Sequence, residues 1–530
     1  MIPDEASSRS LKASILVVGY GPVGAATACL LGRLGVHTIV IDKSNTVFAQ
    51  PRAIALDNEA LRILQMAGLA DDAFARIAIP YVKLHSPFFG QFGQVNTAGS
   101  LDGHPKLVTF AQPELEAALR RQVATLPSVE VALGLQVVRI EESADEVITT
   151  VRDPEGRERR IHSAYVVGAD GASSFVRGAI GQEFRGRSYA EDWLIIDALD
   201  VPHPIDHIEF ICDPRRPTPH MPSPGGRERW EFMLAPGEAR EEMESDVRIA
   251  ELLRPWLEPG QLRVERRAVY RFHARCCEAF GKGRVALAGD AAHITPPFVG
   301  QGLVAGLRDA ANLAWKLAAI VQGRAAPGIL ASYDTERRPH AKAMIDLARL
   351  MGSLVMPRSA TRAVLLHGMM RLARSIPVLR RLFDGLGLKP RNRFREGLFL
   401  RGRSDARLVR GAPIPQGLVR GADGTILRSD DALGQGFTLV GFGVDPSRHL
   451  SEEVRDTWVA RGGGIVQFCH AAQTLHRGER AFEDLQGVLV PDAAPVGWAA
   501  VVRPDRVVVT DGPAVDAHKL LAQTTALLAA

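Results

Sequence analysis

At 530 residues the chain exceeds what one hydrophobic core normally holds, so it divides into about two to four domains. A net charge of +4, from 64 basic and 60 acidic residues dispersed without aromatic interleaving, argues against a nucleic-acid partner. A hydrophobic content of 46% with 23% charged residues excludes a disordered chain, and five cysteines without a CxxC pair point to a reducing cytoplasm rather than a disulfide framework.

Ile15 to Gly32 carries no charge over eighteen positions, long enough to raise a membrane span. Glycines and a proline early in the run suit a strand, a turn and a helix better, and Asp4 and Glu5 ahead of it argue against a signal peptide. The pattern predicts a strand over 14–18, the turn Gly19-Tyr-Gly21-Pro22-Val23-Gly24 and a helix over 25–34. A second strand over 37–41 then ends at Asp42 and Lys43. A G-x-G-x-x-G between strand and helix, with an acidic residue eighteen positions after its last glycine, is a dinucleotide fingerprint. Gly19 makes the turn, Gly21 admits a pyrophosphate, Gly24 lets helix and strand pack, and Asp42 accepts bonds from a ribose. It occurs once, so a second nucleotide would bind transiently.

Pro51-Arg52-Ala53 precedes a helix through Met66, and Arg52 has the planar fork that suits a pyrophosphate. Gln112-Pro113 starts another helix. Residues 129–140 and 146–151 read as antiparallel strands, and a strand over 165–169 closes on Asp170-Gly171, Ser174 and Arg177. From Tyr189 to Phe272 strand-like runs alternate with proline-rich turns, predicting an antiparallel sheet whose inward side chains roof a pocket. Trp193, Phe210, Met221 and Phe232 are the substrate-wall candidates there, with His220, Met233, Tyr270 and Phe272 beside them.

The stretch from Gly283 to Leu317 predicts a strand, a carboxylate at its exit (Gly289-Asp290), stiffening by Pro296 and Pro297, and a long helix opened by Gly300-Gln301-Gly302 and Leu303. Its N-terminus would favour an anion such as a reduced flavin. Helices continue to about Leu382, and a smaller α/β pattern follows from about Ser404.

Gly19 to Gly24 with Asp42, Asp170-Gly171 with Arg177, and Gly289-Asp290 through Gly302 resemble the signatures of the single-component FAD-dependent aromatic hydroxylases. Pro51-Arg-Ala-Ile, Cys212-Asp-Pro, Glu231-Phe-Met and Glu336-Arg-Arg are similar to the 3-(3-hydroxyphenyl)propanoate hydroxylase group. The resemblance implies an α/β fold: a Rossmann-like FAD-binding domain (1–84, 108–188 and 281–350), an inserted antiparallel-sheet substrate domain (85–107 and 189–280), a helical connector (351–403) and a thioredoxin-like domain (404–530) lacking CxxC.

It further implies tightly bound FAD held by Gly19, Gly21, Pro22, Val23, Gly24, Asp42, Lys43, Arg52, Gln112, Asp170, Arg177, Gly289, Asp290, Pro297, Gly300, Gly302 and Leu303. Oxygen would react beside Pro296. NADH or NADPH would be the transient reductant, O2 the oxygen source and a small phenol the substrate, hydroxylated ortho to its hydroxyl. A phenol with a pKa of about 10 needs a proton acceptor, for which Tyr270 and His293 are the candidates. Arg185, Arg187, Arg215 and Arg216 are candidates for a substrate carboxylate. No metal is expected, and a homodimer is compatible with this reading. Alternatives are a larger bicyclic or polyketide-like phenol and, remotely, a non-enzymatic nucleotide-binding escort protein. Absence of GxSxG and of a WxWxIP segment argues against a serine hydrolase and a halogenase.

Overall fold

The computed structural model describes residues 11–47, 52–256, 263–357, 359–384, 389–470 and 480–529; Pro51, Gln261 and Leu262 lie outside them. Three large sheets organise the chain. The first runs, in spatial order, Val129–Leu133, Thr38–Asp42, Leu11–Val18, Glu158–Gly168, Val147–Arg152 and Gln136–Glu142. Its parallel centre is buried on both faces, as the unbroken run Ile15 to Val18 requires. The end of Glu158–Gly168 leaves the antiparallel hairpin and takes Val285–Leu287 as a parallel neighbour. This brings two chemically distinct strand exits, at Asp170 and Asp290, side by side. Helix Pro22–Arg33, started by a proline at its first position, packs against Gly302–Val321 and Gln112–Ala124.

Residues 129–140 depart from expectation. Gly134, at φ +73°, breaks them into two strands, and the first, Val129–Leu133, pairs parallel with Thr38–Asp42. The helix after Arg52 also starts later than expected, at Asn58, capped by Asp57, because Ala55–Asp57 is drawn into a strand against Leu107–Phe110.

The second sheet runs His293–Ile294, Arg263–Cys277, Phe184–Leu199, Arg227–Met233, Thr218–Ser223, Ile208–Ile211, Tyr81–Ser86 and Gly90–Asn96. All its pairs are antiparallel except Ile208–Ile211 with Tyr81–Ser86. Helices Ala331–Val355, Ala360–Arg374 and Pro377–Asp384 follow. The third sheet centres on Thr438–Phe442, flanked by parallel Gly464–His470 and antiparallel Trp498–Val502, and is closed by helix Ala517–Ala529.

Buried ion pairs join the third sheet to the first unit. Arg62 grips Asp430 bidentately at 2.7 and 2.6 Å. Glu336 accepts from Lys316 at 2.9 Å and from Arg503 at 2.7 and 3.0 Å. Among the described residues, no helix is long and apolar enough to cross a membrane.

Candidate active site

A cavity of about 890 Å³ lies where the C-terminal ends of the first sheet's parallel strands meet one face of the second sheet. Ligands of open α/β sheets sit at such strand exits. Val18, Gly19, Asp42, Lys43, Ala169 and Asp170 line one end, and Ile195, Phe210, Met221, Glu231, Tyr270 and Phe272 the other. Asp290, Pro296, Pro297, Gly300, Gly302 and Leu303 form the middle.

The three fingerprint glycines do different work. Gly19 sits at φ +103°, and a Cβ on it would lie 2.4 Å from the Ala169 carbonyl oxygen. A Cβ on Gly24 would lie 1.9 Å from the Gly19 carbonyl oxygen, so only hydrogen lets the helix close on the turn. Gly24 therefore shapes the cavity without lining it. A Cβ on Gly21 would meet nothing within 4 Å; it would project into the cavity, where Pro22 and Val23 also lie. Asp42 accepts from the Tyr20 N–H at 2.7 Å and the Ser44 N–H at 2.8 Å.

Gln112 uses its side-chain oxygen to accept from the N–H groups of Arg52 (3.0 Å) and Ala53 (2.8 Å), fixing the loop that carries Arg52 into the cavity wall. Gln112→Ala is expected to free that loop and weaken cofactor retention by roughly thirtyfold, from about 1 kcal/mol for each of two lost bonds; flavin release on dilution measures it. Asp170 accepts from the Ser174 hydroxyl and, at 3.1 Å, the Val176 N–H. Arg177 does not reach the cavity. Its guanidinium donates to the carbonyls of Ala291 and Ala172 and lies 3.8 Å over the Phe184 ring, so it braces the Asp170 and Asp290 turns against each other.

In the middle, Gly289 at φ +60° turns the chain out of strand Val285–Leu287, and its N–H donates to Asp309 at 3.1 Å. It too lies behind the surface, with Val23 3.0 Å from where its Cβ would be. Asp290 lines the cavity and accepts no hydrogen bond among the described residues. Burial pushes its carboxyl above the ordinary range, while His293 and Arg52 pull it back. The twenty-residue helix Gly302–Val321 follows Gly300 at φ +62° and has no side-chain cap, because Gln301 is spent on Asp57 and Arg308. Its first N–H groups therefore have no capping side chain where Gly302 and Leu303 meet the cavity.

His293 is not placed to take a substrate proton. It is 1% exposed, bonded to Asp309 at 2.6 Å and stacked on Phe280. Burial opposes charge on Asp309, yet His293 and Arg337 hold its carboxyl below the ordinary range, and that unit props the Gly289 turn from behind.

Strand alternation corrects the substrate wall. In Arg227–Met233, Phe232 and Trp230 face helices Arg240–Met243 and Asp246–Leu253, in the core under the sheet, while Glu231 faces the cavity. Trp193 lies just beneath the lining, stacked on Phe272 at 5.2 Å and edge-on to Phe298. Phe210, Met221 and Tyr270 line the cavity, with Ile195, Pro219 and Phe272. His220 sits on the other face, between Glu209 and Glu228 at 2.9 and 2.6 Å. Arg185, Arg215 and Arg216 pair with Glu278, Asp213 and Glu238, and none of the four candidate arginines lines the cavity. The charged cluster Asp197, Arg229 and Arg266 behind Tyr270 escaped the sequence reading; its two arginines come from the strands on either side of Asp197 and meet on its carboxylate.

Residues 12–348 match a family described as FAD binding domain, and residues 411–527 match one described as HcaD C-terminal domain. The chain belongs to the FAD-dependent aromatic hydroxylases. A Burkholderia vietnamiensis 3-(3-hydroxy-phenyl)propionate/3-hydroxycinnamic acid hydroxylase is 37% identical over 517 residues, covering 95% of this chain and 94% of its own. The Escherichia coli K12 protein of the same name is 33% identical over 515 residues, covering 96% and 93%. The flavin-dependent monooxygenase PieE, solved with FAD and substrate, superposes with a TM-score of 0.82 at 21% identity, covering 98% of this chain and all of its own.

The site fits the cofactor of such a hydroxylase: an open cradle at Gly21, a carboxylate at Asp290 awaiting hydroxyl donors, and an uncapped helix N-terminus between them. Among the described residues no group of three or more His, Cys, Asp or Glu side chains is arranged to hold a metal. Asp290→Ala is expected to lose FAD by one to two decades of affinity, since a charge-assisted bond contributes about 1.5–3 kcal/mol. Full flavin content in the purified variant would remove Asp290 from the hydroxylase site.

Proposed function

We propose that the enzyme hydroxylates a phenol ortho to its existing hydroxyl, using NADH or NADPH as reductant and O2 as oxygen source. The expected substrate is 3-(3-hydroxyphenyl)propanoate or a close relative. The observation that carries this reading is the near full-length match, at 33–37% identity, to relatives named for that substrate. The site is compatible with it: an apolar pocket wall of Ile195, Phe210, Met221 and Phe272 adjoins the flavin position and includes Tyr270.

Bound FAD would supply oxygen activation; the protein's part is placement. Asp42, Lys43, Arg52, Gln112 and the fingerprint turn would hold the nucleotide half, and Asp290 the ribityl hydroxyls. The N-terminus of Gly302–Val321 would stabilise negative charge at the ring without reorganising. Pro296 and Pro297 would keep the backbone there rigid, and the apolar wall would exclude water. Arg266 donates to the Tyr270 hydroxyl at 2.8 Å, so Tyr270 is held in one orientation toward the substrate. Asp170, with Arg177 bracing it, would face the passing nicotinamide nucleotide.

The sheets support three units, with the first border shifted to about residue 80, since Tyr81–Ser86 lies wholly in the second sheet. Thr438–Phe442, helix Glu452–Ala460, parallel Gly464–His470 and the antiparallel pair Trp498–Val502 with Val508–Pro513 support a thioredoxin-like reading of the last unit. The turn after Thr438–Phe442 carries no cysteine, so its role would be structural. All five thiols are buried, which suits a cytoplasmic enzyme.

The test is NADH and NADPH oxidation by the purified yellow protein with and without 3-(3-hydroxyphenyl)propanoate, with peroxide measured alongside. The phenol is expected to accelerate oxidation with little peroxide; no acceleration would overturn the substrate assignment.

A further inference from the structure

Arg227–Met233 is a central strand of the second sheet, and its alternation puts Arg229, Glu231 and Met233 on the cavity face. Glu231 stands opposite Ile195, which stands opposite Ala268. Its other flank is strand Thr218–Ser223, where Pro219 and Met221 line the cavity. The carboxyl is thus set in an apolar surface at the middle of the substrate wall, and Glu231 is only 5% exposed.

It accepts no hydrogen bond among the described residues. Of the two nearby guanidinium groups neither donates to it, although the Nε of Arg266 is buried without a partner among the described residues. Arg229 donates to both oxygens of Asp197, at 2.6 and 3.0 Å, and to the Arg52 carbonyl at 3.2 Å. Arg266 donates to Asp197 at 3.1 Å and to the Tyr270 hydroxyl at 2.8 Å. A buried carboxyl without a donor is costly and rare. One that faces a ligand cavity is matched to a donor on the ligand.

We propose that Glu231 accepts the hydrogen bond, and then the proton, of the substrate's phenolic hydroxyl. The assignment rests on the phenol reading above. In the step, the phenolic O–H bond breaks and a new O–H bond forms on a Glu231 oxygen. The electron pair stays on the phenolate and conjugates to the ortho carbon, which bonds to one atom of O2, activated with two electrons from NAD(P)H, as the O–O bond breaks; the other oxygen leaves as water and takes up the ring proton displaced at that carbon. When the ring loses its displaced C–H proton, Glu231 returns its proton to the original oxygen and ends as it began. Tyr270, held by Arg266, would position the same hydroxyl from strand Arg263–Cys277, which lies beyond Phe184–Leu199.

The groups facing Glu231 are Arg229 on its own strand, Asp197 on Phe184–Leu199, Arg266 and Tyr270 on Arg263–Cys277, and Arg52 and Asp290 across the cavity. Burial raises the Glu231 carboxyl, with Asp197 adding to the rise and Arg229 and Arg266 opposing it. A raised acid loses its acceptor form early as pH falls, so affinity for a phenol should drop on the acid side.

The experiment compares 3-(3-hydroxyphenyl)propanoate with 3-phenylpropanoate, which lacks the hydroxyl, by perturbation of the flavin absorbance in wild-type and Glu231→Gln holoenzymes. Glu231→Gln is expected to keep its flavin, bind the phenol at least about tenfold more weakly, bind 3-phenylpropanoate unchanged, and lose the acid-side fall. Equal weakening of both ligands, or unaltered phenol affinity, would overturn the proposal. Should the variant not fold, the wild type alone decides: the ratio of the two affinities must fall toward acid, and a flat ratio overturns it. No phenol binding by the wild type would overturn the phenol reading itself, and this proposal with it.

Discussion

Gly21→Val is expected to give a folded protein that no longer retains FAD, with affinity reduced at least about 1,000-fold, equivalent to about 4 kcal/mol. Gly21 has φ −72° and ψ −176°, extended backbone that valine adopts without strain. Nothing in the protein lies within 4 Å of where its Cβ would be. The added carbons would therefore cost the fold little and would fill the space a pyrophosphate needs beside the helix N-terminus. Gly24→Val is the contrasting variant: its Cβ would lie 1.9 Å from backbone, so it should accumulate as insoluble protein. Flavin content and the thermal midpoint of the apo form separate the two. A Gly21→Val protein with normal flavin would show that the cradle is not where the phosphates lie.

Glu336→Ala is expected to cost about 3–5 kcal/mol, the typical consequence of leaving buried charges unpaired. Glu336 is 2% exposed and accepts from Asn312, Lys316, Arg503 and the Leu398 N–H, at 2.6 to 3.0 Å. One carboxylate thus ties helices Gly302–Val321 and Ala331–Val355 to the third sheet. Asp505 would still pair with Arg503, but Lys316 would be stranded. Burial already pushes the Lys316 ammonium down to about 8, even though Glu336 opposes that shift, and without Glu336 it should fall further. The folded variant would then hold fewer protons than the unfolded chain, so its stability should rise with pH, narrowing the deficit from about pH 7 to about pH 9. Urea unfolding at both pH values measures this. Equal stability of variant and wild type would show that the cluster does not clamp the two units.

What the sequence revealed was the chemistry carried by contiguous motifs. Gly19 to Gly24 with Asp42, and Gly289-Asp290 through Leu303, could be read because turn, phosphate approach and helix start are all encoded within a few residues. The substrate wall was harder, because it depends on which parity of each strand faces inward. Arg227–Met233 carries charges on both parities, so Phe232 and Glu231 could not be told apart until the helices packing against Trp230 and Phe232 were known. His293 was a candidate proton acceptor for the phenol. Its partner Asp309 is on the next helix, and its neighbour Phe280 lies upstream, so nothing local announced that the ring turns inward. Arg177 bonds one carbonyl of its own turn, Ala172, and one of a distant turn, Ala291, and the second contact had no local signal. Residues 129–140 show the opposite failure, a local signal at Gly134 passed over in favour of uninterrupted alternation.

The central claim is that one oxygen atom from O2 enters the ring of a phenol held between Phe210, Met221, Tyr270 and the flavin site. Turnover of the purified enzyme with NADH or NADPH and 3-(3-hydroxyphenyl)propanoate under labelled oxygen, followed by mass spectrometry of the product, tests it directly. The account predicts a catechol bearing a single labelled oxygen ortho to the original hydroxyl, formed in step with NAD(P)H consumed. Labelled hydrogen peroxide with the phenol recovered unchanged, or a product carrying no label, would contradict it.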